Sequence, residues 1–133
     1  MHSVEDLAAE ISSLTRRMVA AESVLAVQAL KARYGALVDQ RFAAGAVVDA
    51  DALAGVADRI AALFTVDGVW DGGPGLGTVR GRDAIATRLR QTTLVFSRHF
   101  FLNPRISVDE SGVTATARYV TRPDRNKQRR YQR

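Results

Sequence analysis

The sequence contains no cysteine and no long apolar run, and each absence excludes a class of protein. Without cysteine, the chain of 133 residues forms no disulfide, no thiolate metal site and no cysteine nucleophile. No apolar run approaches the roughly 20 residues of a membrane span. The N-terminus also lacks a basic segment followed by an apolar one, so no secretion signal is expected. We therefore expect a single globular domain in the cytoplasm, without a membrane partner.

Unbalanced charge is absent outside the C-terminal tail. The net charge is +5, and residues 121–133 account for all of it with six basic side chains and one acid. Residues 1–120 are neutral overall. A basic tail can bind nucleic acid or acidic lipid. The favoured interpretation is a flexible terminus, and nucleic acid is not an expected partner.

The first helix is predicted by apolar residues spaced by three and four. No glycine or proline interrupts residues 4–34, and Ser3 with Asp6 suits an N-terminal capping box. We expect a helix from about residue 5 to residue 38. Three heptads suit a coiled coil, but packing on the domain or on a dimer mate is favoured, with residues 1–28 as an oligomer contact. The stripe consists of Leu7, Ile11, Leu14, Met18, Ala21 and Leu25.

The remaining pattern predicts an α+β domain. A second helix is expected at 52–64 with Asp51 as its N-cap, and a third at 82–91. Short strands flank the glycine-rich loop at 71–77, which lacks the residues of a nucleotide-binding loop. Strands are expected at 95–108 and 113–119, whereas the tail lacks apolar alternation and is not expected to supply a core strand. Helices would then cover one face of a curved antiparallel sheet.

The stretch 95–103 is the candidate functional element. As a strand it places Ser97, His99, Phe101 and Asn103 on one face. That mixture of polar and aromatic side chains is typical of a ligand pocket. His99 is the only histidine beyond the N-terminal dipeptide, and an imidazole titrates near pH ~6.5. A purely structural histidine is the alternative.

The order and spacing of four motifs resemble a known family. The chain is similar to the SnoaL-like branch of the nuclear transport factor 2-like superfamily, which includes scytalone dehydratase, bile-acid 7α-dehydratase and hexachlorocyclohexane dehydrochlorinase. The resemblance covers about residues 5–120. The motifs are Leu30-x3-Tyr34-x4-Asp39, Ala62-Leu63-Phe64-x2-Asp67-Gly68-x-Trp70, Gly81-x3-Ile85 and His99-x3-Asn103-x2-Ile106.

The resemblance implies a cone of bent antiparallel sheet, closed by helices around a deep pocket. It also implies an Asp39–His99 pair in which His99 is the general base, with Tyr34 as a polar helper. Tyr34 and Asp39 lie about 140° apart on an ideal helix, so helix geometry alone does not place them on one face. They could still line one cavity if the helix lies across its mouth or its last turn unwinds. Trp70, Phe101 and Asn103 would line the pocket. The implied activity is a lyase or isomerase acting on a hydrophobic ring compound, with no metal or organic cofactor.

Several alternatives stay open at this point. The family also contains non-catalytic ligand-binding and dimerisation domains, and a fold does not fix a function. Family members have two further strands after the strand that ends near residue 120, so this chain could instead be an incomplete member. A partner or a second copy could also complete the sheet. We expect one domain over residues 1–120, a tail over 121–133, and a homodimer or homotrimer.

Overall fold

The computed structural model describes residues 1–112, 114–121 and 124–127. Three helices and eight short strands alternate along these residues, which confirms the predicted α+β class. In chain order they are α1 (Val4–Asp39), β1 (Phe42–Ala43), β2 (Ala46–Val47), α2 (Ala50–Ala61), β3 (Val69–Asp71), β4 (Thr78–Arg80), α3 (Arg82–Leu89), β5 (Leu94–Arg98), β6 (Phe101–Val108), β7 (Ala115–Thr121) and β8 (Asp124–Lys127).

Helix α1 is one unbroken helix of 36 residues. The expected capping box is present, because the Ser3 hydroxyl accepts from the Asp6 N–H and the Asp6 carboxylate accepts from the Ser3 N–H. The predicted apolar stripe does not pack on the domain. Its members, Ala21 included, are exposed to solvent.

The hydrophobic core lies between the last turns of α1 and the two shorter helices. It is formed by Leu37, Val38, Val56, Ala57, Ile60, Ala61, Ile85 and Leu89. The predicted inward positions Ile85 and Leu89 of α3 are confirmed, with 0% and 2% exposure. This core fixes the C-terminal end of α1, which carries the candidate site.

The predicted N-cap of α2 is wrong by two residues. Asp49, not Asp51, caps the helix, and its side chain accepts from the Ala52 N–H at 2.9 Å. The Val48 N–H donates to the Arg41 carbonyl at 3.0 Å, which turns the chain into the helix earlier than expected. Asp51 therefore falls within the first helical turn.

The strands pair as four separate antiparallel ladders: β1–β2, β3–β4, β5–β8 and β6–β7. A single closed cone of sheet is not found among the described residues. The tail nevertheless contributes a short strand, Asp124–Lys127, which pairs with β5. Pairing uses main-chain groups and requires no apolar alternation. The other tail positions, 122, 123 and 128–133, lie outside the described residues.

The predicted continuous strand from residue 95 to residue 108 is also wrong. Strand β5 ends at Arg98 and β6 begins at Phe101, so His99 lies in the connection between them. Asn103 has a φ of 50°, and the β6–β7 register shifts between Leu102 and Arg105. Pro104 lies within this bulge, as its missing N–H favours. Asn103 is exposed and does not share a pocket face with His99.

None of the helices among the described residues is both long and apolar enough to cross a membrane.

Candidate active site

The Asp39 carboxylate holds His99 from two sides. Asp39 is the last residue of α1, and one of its oxygens, Oδ1, lies 2.8 Å from His99 Nδ1. The other oxygen, Oδ2, accepts from the His99 backbone N–H at 3.1 Å. The two side chains are 27% and 15% exposed, respectively. The helix end and the β5–β6 connection are thus joined through the candidate catalytic pair.

This geometry selects one tautomer of His99. An ionised carboxylate only accepts hydrogen bonds, so Nδ1 carries the proton that points to Asp39. The buried Ser97 hydroxyl oxygen lies 3.1 Å from the same nitrogen and can therefore only accept from it. In the neutral imidazole, Nε2 then carries the lone pair. An imidazole in this state can accept a proton from a ligand.

The predicted residues Tyr34 and Trp70 contact each other. The Trp70 indole N–H donates to the Tyr34 hydroxyl at 2.9 Å. Because that hydroxyl already accepts one hydrogen bond, its own proton is free to be donated to another acceptor. The Tyr34 ring also packs at 6.2 Å, centroid to centroid, from the Phe101 ring.

The Phe101 ring lies at the centre of an aromatic group. It stacks against the His99 ring with 6.3 Å between the centroids and meets the Tyr119 ring edge to face at 5.9 Å. Gly35 of α1 makes room for it, since a Cβ there would lie 2.7 Å from Phe101 Cε2. The absence of a side chain at residue 35 therefore allows Phe101 to pack against α1.

Two cavities meet at His99. The first, here the helix cavity, has a volume of about 500 Å³ and lies between α1 and β6; Asp39, His99 and Phe101 line it. The second, here the central cavity, has a volume of about 320 Å³ and is lined by Tyr34, Trp70, His99 and Phe101. Both volumes suit a small ring compound.

The structure brings five of the six predicted site residues together and leaves one out. Asp39 lines the helix cavity and Tyr34 the central cavity. His99 and Phe101 line both. Asn103 lines neither, because the bulge in β6 exposes it. Among the described residues no group of three or more metal-binding side chains occurs.

Sequence reasoning missed Lys31, which lines both cavities. Its Nζ lies 4.2 Å from the Phe101 ring centroid, 4.8 Å from that of Tyr34 and 5.9 Å from that of Tyr119. Burial lowers the pKa of Lys31. The sequence did contain one signal, the rarity of lysine. Arginine supplies all but two of the 19 basic residues, and the other lysine is Lys127.

These features define a class: a small α+β domain with an aromatic cavity that contains a carboxylate–imidazole pair. The model of the SnoaL-like domain family matches residues 19–128. The chain therefore belongs to the SnoaL-like domain family, which confirms the predicted resemblance. Such a domain is that of a small-molecule lyase or isomerase, or of a ligand-binding protein.

Comparisons with individual proteins add little to this family assignment. Among solved structures, the 2.1 Å structure of ActVI-ORFA from Streptomyces coelicolor is similar, with 22% identity, 75% of this chain and 71% of that chain covered, and a TM-score of 0.44. A likeness of that size carries no argument about function. No curated protein matches the chain significantly.

Proposed function

We propose that this protein is a SnoaL-like lyase or isomerase that removes a proton from a hydrophobic ring compound. His99 is the general base and Asp39 orients it. The observation that carries the proposal is the 2.8 Å contact between Asp39 Oδ1 and His99 Nδ1 beside two cavities. A carboxylate so placed stabilises the imidazolium that forms when Nε2 accepts a proton.

The reaction needs only this chain's side chains. His99 Nε2 takes a proton from the carbon next to a substrate carbonyl, and the electron pair moves onto the carbonyl oxygen. The Tyr34 hydroxyl donates a hydrogen bond to that oxygen as its negative charge develops. Return of the proton to a different carbon gives isomerisation. Loss of a β-hydroxyl group as water, protonated by the imidazolium, gives dehydration.

The first step can be tested without knowing the substrate. We would incubate the protein in D₂O with 2-tetralone, a bicyclic aromatic ketone, and follow loss of its α-proton signals by NMR. His99→Gln should lower the protein-dependent exchange rate by about 100-fold, in line with general-base catalysis. Asp39→Asn should lower it less, because the base survives without its orienting partner.

The matched control is His2→Gln, which changes the only other histidine. His2 precedes α1 and is exposed, so this variant should exchange at the wild-type rate. Equal rates in the His99 and His2 variants, with both folded by circular dichroism, would contradict the proposal.

A non-catalytic ligand-binding domain of the same fold is the second candidate. It is favoured by the separate two-stranded ladders of the described residues, which do not form the closed cone. Here 2-tetralone would bind without protein-dependent exchange. A small hydrophobic or aromatic ligand is proposed under either function. The cytoplasmic location, the lack of a cofactor and the oligomeric state stay predictions.

A further inference from the structure

We propose that Lys31 forms an oxyanion-binding subsite, so that the preferred ligand is an aromatic compound with a carboxylate or an ionised enol or phenol. The inference rests on the proposed function for the location of the site. It goes beyond it by assigning the charge of the ligand and the residue that recognises it.

The first support is the placement of the ammonium group. Lys31 lines the helix cavity, the central cavity and a third cavity of about 460 Å³ that contains Tyr34, Trp70 and Tyr119. Three aromatic faces surround the Nζ atom at 4.2 to 5.9 Å. Aromatic faces attract a cation but accept no ordinary hydrogen bond from its three N–H groups.

The second support is the set of polar groups left without partners. Within the part of the chain that the structure describes, Lys31 takes part in no ion pair. The Tyr119 hydroxyl is buried there and has no hydrogen-bond partner. A buried polar group of this kind requires a partner. Arg41, the other cation of the central cavity, instead donates to the carbonyl oxygens of Val38 and Leu89.

A ligand oxyanion would supply what both groups lack. It would accept from the ammonium in a partly dehydrated site, where charge-assisted hydrogen bonds are strong, and from the Tyr119 hydroxyl. The ligand's rings would then pack on Phe101. The same Phe101 ring stacks on His99, so the subsite and the candidate base flank one aromatic ligand.

The test compares two probes of nearly equal shape by isothermal titration calorimetry. The probe 2-naphthoate carries the oxyanion, and 2-naphthamide is its neutral analogue. Lys31→Met keeps an unbranched side chain that is one atom shorter and removes the charge. We expect it to weaken 2-naphthoate binding by about 10- to 100-fold, the range for a charge-assisted hydrogen bond, and 2-naphthamide binding by less than about two-fold.

Arg33→Met is the matched control, since it removes an exposed cation from the same helix, and it should bind both probes as the wild type does. Equal weakening of both probes by Lys31→Met would overturn the proposal, as would unchanged binding of 2-naphthoate. The result is independent of catalysis. If 2-naphthoate binding depends on Lys31 while 2-tetralone shows no protein-dependent proton exchange, only the proposed role of His99 as the general base would be contradicted.

A different observation leads to a second inference, about α1. We infer that its N-terminal part forms a parallel two-stranded coiled coil with a second copy of this chain. Six apolar side chains in this part of the helix are between 47% and 79% exposed to solvent: Val4, Leu7, Ile11, Leu14, Met18 and Leu25. They follow a heptad pattern in which β-branched Val4 and Ile11 occupy a positions and Leu7 and Leu14 occupy d positions, the combination that favours two parallel strands.

The two faces of α1 point in opposite directions. Its domain-facing residues include Ser23, whose hydroxyl donates to the Gly112 carbonyl at 2.6 Å, and the half-buried Val27, Lys31 and Tyr34. At 100° per residue the centre of the heptad stripe lies roughly 180° from this face. The domain therefore leaves the stripe free for a partner helix.

Charge and family extent favour a second copy as the partner. In the parallel register, Arg17 at a g position faces Glu22 at the e position of the other helix, which gives two complementary pairs. The family match begins at residue 19, so most of the stripe precedes the matched domain. The apolar side chains ahead of residue 19 are not needed to complete that domain.

Analytical ultracentrifugation at tens of micromolar protein tests the proposal. The wild type should be a dimer, and the double variant Leu7→Asp with Leu14→Asp a monomer. Ala9→Asp with Ser12→Asp adds the same charge outside the stripe and should remain dimeric. A wild-type monomer, or a dimer that survives the Leu7/Leu14 variant, would overturn the inference.

Orientation is tested by a single engineered cysteine, because the chain has none of its own. In a parallel pair the two copies of residue 7 are adjacent, so oxidised Leu7→Cys should run as a covalent dimer on a non-reducing gel. In an antiparallel pair residue 7 lies opposite residue 18, and the same variant would stay monomeric on that gel, which would contradict the parallel arrangement.

Discussion

At the scale of single residues, the aromatic group depends on a glycine in α1. Replacing Gly35 by alanine places a Cβ 2.7 Å from Phe101 Cε2 and 3.3 Å from Phe101 Cδ2. The ring cannot simply move away, because Tyr34, His99 and Tyr119 surround it. Overpacking costs about 1–3 kcal/mol, whereas alanine is better than glycine in a helix by about 1 kcal/mol. We expect a net loss in the free energy of unfolding of up to about 2 kcal/mol, measured by urea denaturation.

Gly55→Ala is the control for this prediction. Gly55 lies within α2, and nothing among the described atoms is within 4 Å of a Cβ built there. The same substitution should therefore stabilise the protein by about 0.5–1 kcal/mol. Stabilisation of similar size by Gly35→Ala would show that Phe101 yields freely, contrary to the packing described above.

The residues of the site were predictable to different degrees. Asp39 and His99 could be paired only through the family resemblance, since sixty positions separate them and no local pattern joins them. Asn103 was placed wrongly, because strand alternation holds only while the strand is regular and β6 has a bulge there. Lys31 was missed because a lysine in an exposed-looking helical pattern normally extends into solvent, and only the fold brings β6 and β7 over it.

At the scale of the elements, the two aspartates at the start of α2 separate two kinds of contribution to stability. Asp49 accepts a hydrogen bond as the N-cap, so Asp49→Ala should cost about 1 kcal/mol. Asp51 lies in the first turn and acts only through the helix dipole, so Asp51→Ala should cost about 0.3–0.5 kcal/mol. Urea denaturation followed by circular dichroism measures both. A larger cost at Asp51 would mean that the helix begins later in solution.

The helices could be predicted more fully than the strands. Apolar spacing reveals which face of a helix is buried, as Ile60 and Ile85 show. It does not reveal whether an apolar stripe such as that of α1 packs against another element of the same chain. Strand β8 has no apolar alternation to reveal it, because it joins β5 through main-chain hydrogen bonds. The division of 95–108 into two strands likewise depends on where Asp39 meets the chain.

At the scale of the whole molecule, Lys31 should make stability depend on pH in the alkaline range. Burial lowers its pKa below the usual value of 10.5, so between the two pKa values the unfolded chain binds more protons than the folded one. The free energy of unfolding therefore rises with pH across that interval. Below the lowered pKa the full cost of burying the charge remains. Above 10.5 it is absent.

The variant Lys31→Met removes this proton-linked contribution. The quantity of interest is the free energy of unfolding of the Lys31→Met variant minus that of the wild type. We expect this difference to be constant near neutral pH and to fall as the pH rises towards 10.5. Denaturant titrations of both proteins at a series of pH values measure this difference. A difference that rises with pH would show that the rings of Phe101, Tyr34 and Tyr119 stabilise the ammonium more than burial penalises it. The pKa of Lys31 would then lie above 10.5, and binding of 2-naphthoate would persist to higher pH than an ordinary lysine allows.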